Sequence, residues 1–285
     1  MSIVITGATG HLGRLVVESL LERGVPAREI VAAGRNTGKL KDLADRGVRV
    51  RAIDFNAPAT LREAFHGAQK VLLVSGSEIG QRTQQHQNVI DAAKDTGIGL
   101  LAYTSIANAD STTMQLADEH KATEAALRAS EIPFVLLRNG WYIENYTDQI
   151  GTILQHGALL GSAGHGRVSA ATRADYAAAA AAAVFADGQQ GQLYELGGDK
   201  AFTLAELAEE ISVHSGRDIA YRDLPVNEYT QVLIGAGLPE PVAAVYADSD
   251  RGIAHGDLFV DGGDLSLLIG RPTTSLRDAV VAALR

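Results

Sequence analysis

The sequence predicts an α/β fold, a doubly wound parallel sheet with a smaller C-terminal mixed α/β lobe. Three observations lead there. Short, nearly continuous apolar runs alternate with amphipathic stretches from residue 2 to residue 138, the signature of parallel strands covered on both faces by helices. A glycine-rich segment joins the first apolar run to the first amphipathic one. After Arg138 the rhythm changes and turn-forming residues take over.

The strands are taken in chain order. Ile3-Val4-Ile5 leads through the glycines into a helical pattern over Leu12 to Arg23, and Ile30-Val31-Ala32 precedes a helix over Gly38 to Arg46. Val48 to Ile53 is followed by Ala59 to His66, Val71 to Val74 by Gln84 to Thr96, and Leu100 to Thr104 by Ala117 to Ser130. Phe134 to Leu137 is the sixth strand. Right-handed crossovers give these strands the order 3-2-1-4-5-6. Residues 1–138 then form one domain. Residues 139–285 are mainly the lobe, with segments near 172–196 returning to the sheet. Residues 139–170 are rich in Gly, Tyr and Asn, and Gly157 to Gly166 reads as turn. Thr172-Arg-Ala-Asp175 fits a capping box ahead of an alanine-rich helix. Gln192 to Leu196 is a further strand, Thr203-Leu-Ala-Glu206 opens a helix through Val213, and Thr273 and Thr274 precede a last helix to Leu284.

Composition excludes several classes. Of the 285 residues, 46% are hydrophobic and 21% charged, as in a globular protein. A net charge of −9 repels phosphate backbones, so no nucleic acid is expected as a partner. There is no cysteine, which rules out disulfides, Cys-bound zinc, iron–sulfur clusters and a thiol nucleophile. The histidines show no metal-ligand spacing, so no metal is expected. The alanine tract Ala177 to Ala183 is too short to span a bilayer, and the N-terminus lacks the basic and apolar regions of a signal peptide. A cytoplasmic chain with no membrane partner is expected. Oligomeric state is left open, a homodimer included.

The strongest local motif is Gly7-Ala8-Thr9-Gly10-His11-Leu12-Gly13, directly after the first strand and opening the first helix. Gly7 suits a tight turn, Gly10 close approach of backbone N–H groups to a pyrophosphate, and Gly13 close packing of helix on sheet. The helix N-terminus adds the positive end of its dipole. A structural glycine-rich turn is the alternative, and the surrounding alternation favours a dinucleotide-binding Rossmann sheet. At the end of the second strand, Ala32-Ala33-Gly34-Arg35-Asn36 carries no acid to grip a ribose 2′-hydroxyl. Arg35 suits a 2′-phosphate instead, which points to NADP, although a loop arginine facing solvent would look the same. Asp54 lies where adenine contacts fall and equally where a helix-capping acid would. Ser75-Gly76-Ser77 places small polar groups beside the phosphates and nicotinamide ribose.

On these residues the chain resembles the NmrA-like group of atypical short-chain dehydrogenases, and within it the bacterial NAD(P)H:quinone oxidoreductases of the type 2 class. The likeness covers essentially the whole chain. It runs from Ile5-Thr-Gly-Ala-Thr-Gly-His-Leu-Gly13 through Val74-Ser-Gly-Ser-Glu78, Tyr103-Thr-Ser105 and Ala117-Asp-Glu-His120. It continues in Leu137-Arg-Asn-Gly-Trp-Tyr142, Glu144-Asn-Tyr146, Ser169-Ala-Ala-Thr-Arg-Ala-Asp-Tyr176 and Ile269-Gly-Arg-Pro-Thr273. The first motif is shared by very many Rossmann proteins; the Leu137 and Ser169 stretches are much narrower. The resemblance implies NADPH along the glycine loop, at Arg35, at Ser75 to Ser77, at Thr104 and around Asn139 to Glu144, with Asn139, Gly140, Trp141 and Tyr142 as the contacts. It implies hydride transfer to a quinone without a flavin. A triphenylmethane dye as acceptor, or a non-catalytic sensor of dinucleotide state, are the alternatives.

One departure bears on mechanism. Ordinary short-chain dehydrogenases carry Tyr-x-x-x-Lys on the helix after the fifth strand, and here that region reads His120-Lys-Ala-Thr-Glu124. No phenol stands beside an ammonium to lower its pKa, which suits a quinone better than a simple ketone. His120 is a candidate proton donor or a packed helix histidine. Tyr142 and Asn145 complete the catalytic candidates. Ser105, Tyr142, Asn145 and Tyr146 are candidates for holding a flat ring, and Trp141 either walls it or belongs to the core.

Overall fold

The computed structural model describes residues 2–285. Its first half alternates β1 (Ile3–Ile5), α1 (His11–Glu22), β2 (Ile30–Gly34), α2 (Lys41–Asp45), β3 (Arg49–Ala52) and α3 (Pro58–Phe65). It continues with β4 (Lys70–Leu73), α4 (Arg82–Asp95), β5 (Leu100–Ile106), α5 (Leu116–Ala129) and β6 (Phe134–Asn139). Then follow α6 (Glu144–Thr147), α7 (Ile150–His156), β7 (Ala158–Gly161), α8 (Arg173–Phe185), β8 (Leu193–Leu196), α9 (Leu204–Ser215) and β9 (Ala220–Asp223). Four helices end the chain: α10 (Val226–Gly235), α11 (Glu240–Ala254), α12 (Asp264–Ile269) and α13 (Leu276–Ala283).

Seven strands form the main sheet in the order β3-β2-β1-β4-β5-β6-β8. All pairs are parallel, with Val4 of the interior strand β1 beside Val31 and Val71. The predicted order is present, and β8 extends it by one strand. One face of the sheet packs on α1 and α8, the other on α3, α4 and α5. Helix α1 turns Leu12, Val16, Val17 and Leu20 inward, the three- and four-residue spacing of one helical face. Helix α8 lies against α1. Its alanines are good helix formers and all but Ala174 and Ala178 are buried, so close packing rather than bulk seals that side.

Strands β5 and β6 run further than their apolar patterns suggest, to Ile106 and Asn139. Polar residues in these extensions are buried but satisfied. Ser105 Oγ donates to Glu124 Oε1 at 2.6 Å, and Arg138 donates to Glu124, Asp110 and Glu195 at 2.7–2.9 Å. A buried polar group is tolerated when it is hydrogen-bonded, and sequence polarity alone does not show that.

The second core gathers α6, α7, α9, α11 and α13 around the two-stranded parallel sheet β7-β9. Residues 157–166, expected as turn, contain β7. Its last residue is glycine because a Cβ on Gly161 would lie 2.8 Å from Leu204 Cδ1 and 2.9 Å from Asp250 Oδ2. The capping box at Thr203 and Glu206 forms in both directions. At Thr172 only half of one forms. Its hydroxyl oxygen accepts from Asp175 N at 3.1 Å, while the buried Asp175 carboxylate accepts from Arg271 Nη2 at 2.6 Å and Thr274 N at 2.8 Å. The acid is spent on fastening the C-terminal segment to α8. The last helix is capped by Ser275 rather than by the two threonines.

Candidate active site

The carboxyl ends of β1, β2 and β4 open into a groove of about 360 Å³. Its floor begins with Gly7, which takes a left-handed φ of 63° where a side chain would be strained. A Cβ on Gly13 would lie 2.5 Å from the Gly7 carbonyl oxygen, so α1 can sit on the loop only with glycine there. Gly10 caps α1 without a side-chain hydrogen bond, and the first turn holds no acid. The N–H groups at a helix start lack intrahelical partners, and here no capping side chain or carboxylate competes with an anion for them. These features fit a pyrophosphate.

The structure brings Gly7, Thr9, Gly10, His11, Leu12 and Gly13 together with Arg35, Asp54, Ser75, Gly76, Ser77 and Tyr142 around this groove. Ala8 is buried beneath the loop, its N–H donating to the Ala33 carbonyl at 3.0 Å. Asp54 faces the groove and also makes a turn, accepting from Asn56 N at 2.9 Å. Arg35 stands at the rim, paired with Glu78 at 2.6 Å.

Other predicted residues lie behind the wall. Thr104 Oγ1 accepts from Ser75 N at 2.9 Å and so supports the loop after β4. The buried Asn139 accepts from Ala107 N at 2.8 Å through its carbonyl. Gly140 fits between Tyr176 and Leu196, where a Cβ would lie 3.0 Å from the Tyr176 hydroxyl. Trp141 packs against the second core, with its ring edge-on to Tyr246 at 6.2 Å. Its carbonyl accepts from Ala171 N at 3.1 Å.

His120 is not brought to the groove. It is buried under the sheet, where Arg82 Nη1 donates to its Nε2 at 3.3 Å. The proton therefore sits on Nδ1, 2.7 Å from the Tyr103 hydroxyl. Burial, then the Arg82 charge, holds its pKa well below that of an ordinary histidine. Both nitrogens are engaged and the ring is neutral. The cause is Tyr103, a buried residue of β5 whose hydroxyl meets His120 on the inward face of α5. Ser105 is likewise committed to Glu124.

Sequence reasoning missed several groove residues. A Cβ on Gly34 would lie 2.7 Å from Thr9 Cγ2, so this glycine makes room for the phosphate loop; its signal was a glycine at the strand end. Phe55, Glu78 and Gln85 also line the groove. Behind them, Gly76 N donates to His86 Nε2 at 3.0 Å. Nδ1 of the same ring must then carry the proton. It donates to Thr123 Oγ1 at 2.9 Å, and that hydroxyl donates to the Glu119 carbonyl at 2.8 Å. Burial, and secondarily Arg82, pushes His86 down to a pKa of about 4.

At the other end, Tyr142 leads into the short α6. The Arg173 guanidinium lies 4.7 Å from the centre of the Tyr142 ring, and Tyr176 meets that ring edge-on at 5.4 Å. Burial raises the Tyr142 pKa, with Asn139 pulling the other way. Asn145 Oδ1 accepts from Arg173 Nη2 at 3.0 Å. The Tyr146 hydroxyl is buried with no hydrogen-bond partner among the described residues, and burial lifts its pKa well above 10.

A parallel sheet whose first loop and helix start open into a groove beside a strand-end arginine defines a dinucleotide-binding α/β protein. The chain belongs to the NAD(P)H-binding family, whose model matches residues 7–187. It is 49% identical over 278 residues to quinone oxidoreductase 2 of Escherichia coli K12, covering 98% of this chain and 97% of that one. The crystal structure of the NADPH-dependent quinone oxidoreductase of E. coli complexed with NADPH superposes with a TM-score of 0.96. The two are 48% identical, over 99% of this chain and 100% of that one. Triphenylmethane reductase of Citrobacter sp., complexed with NADP(H), gives a TM-score of 0.94 at 38% identity, over 99% and 100% of the two chains.

Proposed function

We propose that this protein is an NADPH-dependent oxidoreductase that reduces quinones by two electrons without a flavin. The reaction balances as quinone, NADPH and one proton giving hydroquinone and NADP⁺. Identity of 49% to a quinone oxidoreductase over nearly the full length supports this reading, and the start of α1, capped by Gly10 with no side-chain hydrogen bond and seated closely on Gly7 through Gly13, is the observation in this chain that carries its coenzyme half.

Bound NADPH supplies the hydride, which is the hard part of the chemistry. The chain supplies position and a dry setting. Gly10 to Gly13 and the Ser75–Ser77 loop hold the pyrophosphate and ribose, and Arg35 reads the 2′-phosphate through its planar fork. Tyr142 bounds the nicotinamide end of the groove. Arg173 stacked on its face and bonded to Asn145 keeps the tyrosine from turning. We assign the hydrogen bond to the acceptor's carbonyl oxygen to the Tyr146 hydroxyl, which is neutral and buried off the groove in this structure and is uncovered only as the acceptor enters. Negative charge develops on that oxygen, so a preset donor there helps the transition state most. No helix among the described residues is long and apolar enough to cross a membrane, and a cytoplasmic setting belongs to this proposal.

The test is NADPH oxidation followed by absorbance with benzoquinone, naphthoquinone and triphenylmethane dye acceptors, less the uncatalysed rate. Saturable turnover on a quinone is expected. Tight coenzyme binding with no turnover on any acceptor would overturn the reductase and favour a sensor.

A further inference from the structure

The coenzyme-reading end of the groove holds a charged residue that the proposed function leaves unused. Arg35 Nη1 donates to Glu78 Oε1 at 2.6 Å, and Gln85 Nε2 donates to Glu78 Oε2 at 2.9 Å. Arg35 follows β2, whereas Glu78 follows β4. The pair therefore ties together two loops that both line the groove. Its two ends are not equally held. The Arg35 side chain is 67% exposed, whereas that of Glu78 is 31% exposed and braced by the buried Gln85.

We propose that Glu78 is a coenzyme-selecting residue of this groove: its carboxylate is the resident counter-ion of Arg35, and NADPH gains Arg35 only by drawing it off that carboxylate. This rests on the reading that NADPH binds here with its 2′-phosphate at Arg35. A phosphate monoester carries nearly two negative charges at neutral pH. It enters a rim where one cation faces two acids, Glu78 and Asp54. The exposed arginine swings to a new partner readily, because a half-solvated ion pair is weak. The braced carboxylate stays and repels the phosphate. NADH brings only a neutral 2′-hydroxyl, which a carboxylate accepts without penalty. Glu78 thus narrows the preference for NADPH that Arg35 alone would give.

The experiment measures dissociation constants for NADPH and NADH by coenzyme fluorescence, with no acceptor present. The proteins are wild type, Glu78→Gln, Glu78→Lys and Arg35→Ala, each at low and high salt. Glutamine keeps the length and an acceptor for Gln85. One carboxylate about 7 Å from a dianion in water-like surroundings corresponds to about a five- to tenfold change in binding. Glu78→Gln is therefore expected to raise the NADPH-over-NADH affinity ratio about five- to tenfold at low salt. Glu78→Lys raises it further, and both gains shrink with salt. An unchanged or lower ratio in both variants, with Arg35→Ala still losing NADPH selectively, overturns the role of Glu78 alone. Equal loss of both coenzymes in Arg35→Ala overturns the 2′-phosphate reading and the proposal with it.

Discussion

Replacing His86 tests how the loop after β4 is held. In the native protein its Nε2 must stay unprotonated to accept from Gly76 N. Its pKa falls from 6.5 to about 4, chiefly through burial. At 1.36 kcal/mol per unit this is about 3 kcal/mol. The direction follows from proton counting. Between pH 6.5 and 4 the unfolded chain binds a proton here that the native protein does not, so stability is complete above pH 6.5 and falls as pH drops through this window. His86→Gln keeps an acceptor for Gly76 but has no proton to take up. Urea unfolding at pH 7.5, 6, 5 and 4 should show the wild type's margin over His86→Gln shrinking by about 3 kcal/mol. A margin independent of pH would refute the assigned tautomer. His86→Leu leaves the Gly76 N–H without a partner, a cost of about 1–3 kcal/mol. It should weaken NADPH binding where glutamine largely preserves it.

Three further outcomes are expected. Gly13→Ala forces a carbon to within 2.5 Å of the Gly7 carbonyl oxygen; it should cost about 1–3 kcal/mol of stability and weaken NADPH and NADH alike, by thermal melts with and without coenzyme. Asp250 is buried, accepts from Ser162 N, and is pushed up to a pKa of about 7. Its native-state preference for the proton favours folding below the ordinary value of 3.8 and is lost as pH rises through 7, so Asp250→Asn should gain up to about 4 kcal/mol more at pH 8 than at pH 4. Tyr146→Phe removes a hydroxyl with no partner; unfolding stability should hold or rise, NADPH affinity stay constant, and kcat/KM for quinone fall about two- to tenfold, the worth of one hydrogen bond.

The nucleotide half was legible because its information is local. Apolar runs mark strands buried on both faces, and the Gly7–Gly13 spacing is contiguous with the turn it builds. His86, Gln85 and Arg82 were not legible because α4 turns polar residues inward. A helix that buries hydrogen-bonded polar groups looks, in sequence, as though it faces the other way. His120 stayed open between a proton donor and a packed helix histidine for a related reason: only the fold shows that Tyr103 and Arg82 already use both ring nitrogens. In the lobe, β7 pairs with β9 about sixty residues away, and no local pattern in a glycine-rich stretch encodes that partner. The missing second half of the capping box at Asp175 is the same lesson, since its carboxylate accepts instead from residues 271 and 274.

The placement of α8 and β8 has a consequence during synthesis. The helix that covers one face of the sheet and the strand that completes its edge are encoded after residues such as Ile143, Ile150, Leu159 and Val168, which pack in the other core. When residue 139 has left the ribosome, β1 to β6 are present, but the surface that α8 will cover, including Leu100, Val135 and Leu137, is bare. At about 5–20 residues per second, the roughly fifty residues to the end of α8 take several seconds. During that interval a nascent chain displays a sticky half-sheet, so the alanine helix acts as the closing signal of biosynthesis, and a fragment ending at residue 138 should aggregate rather than fold.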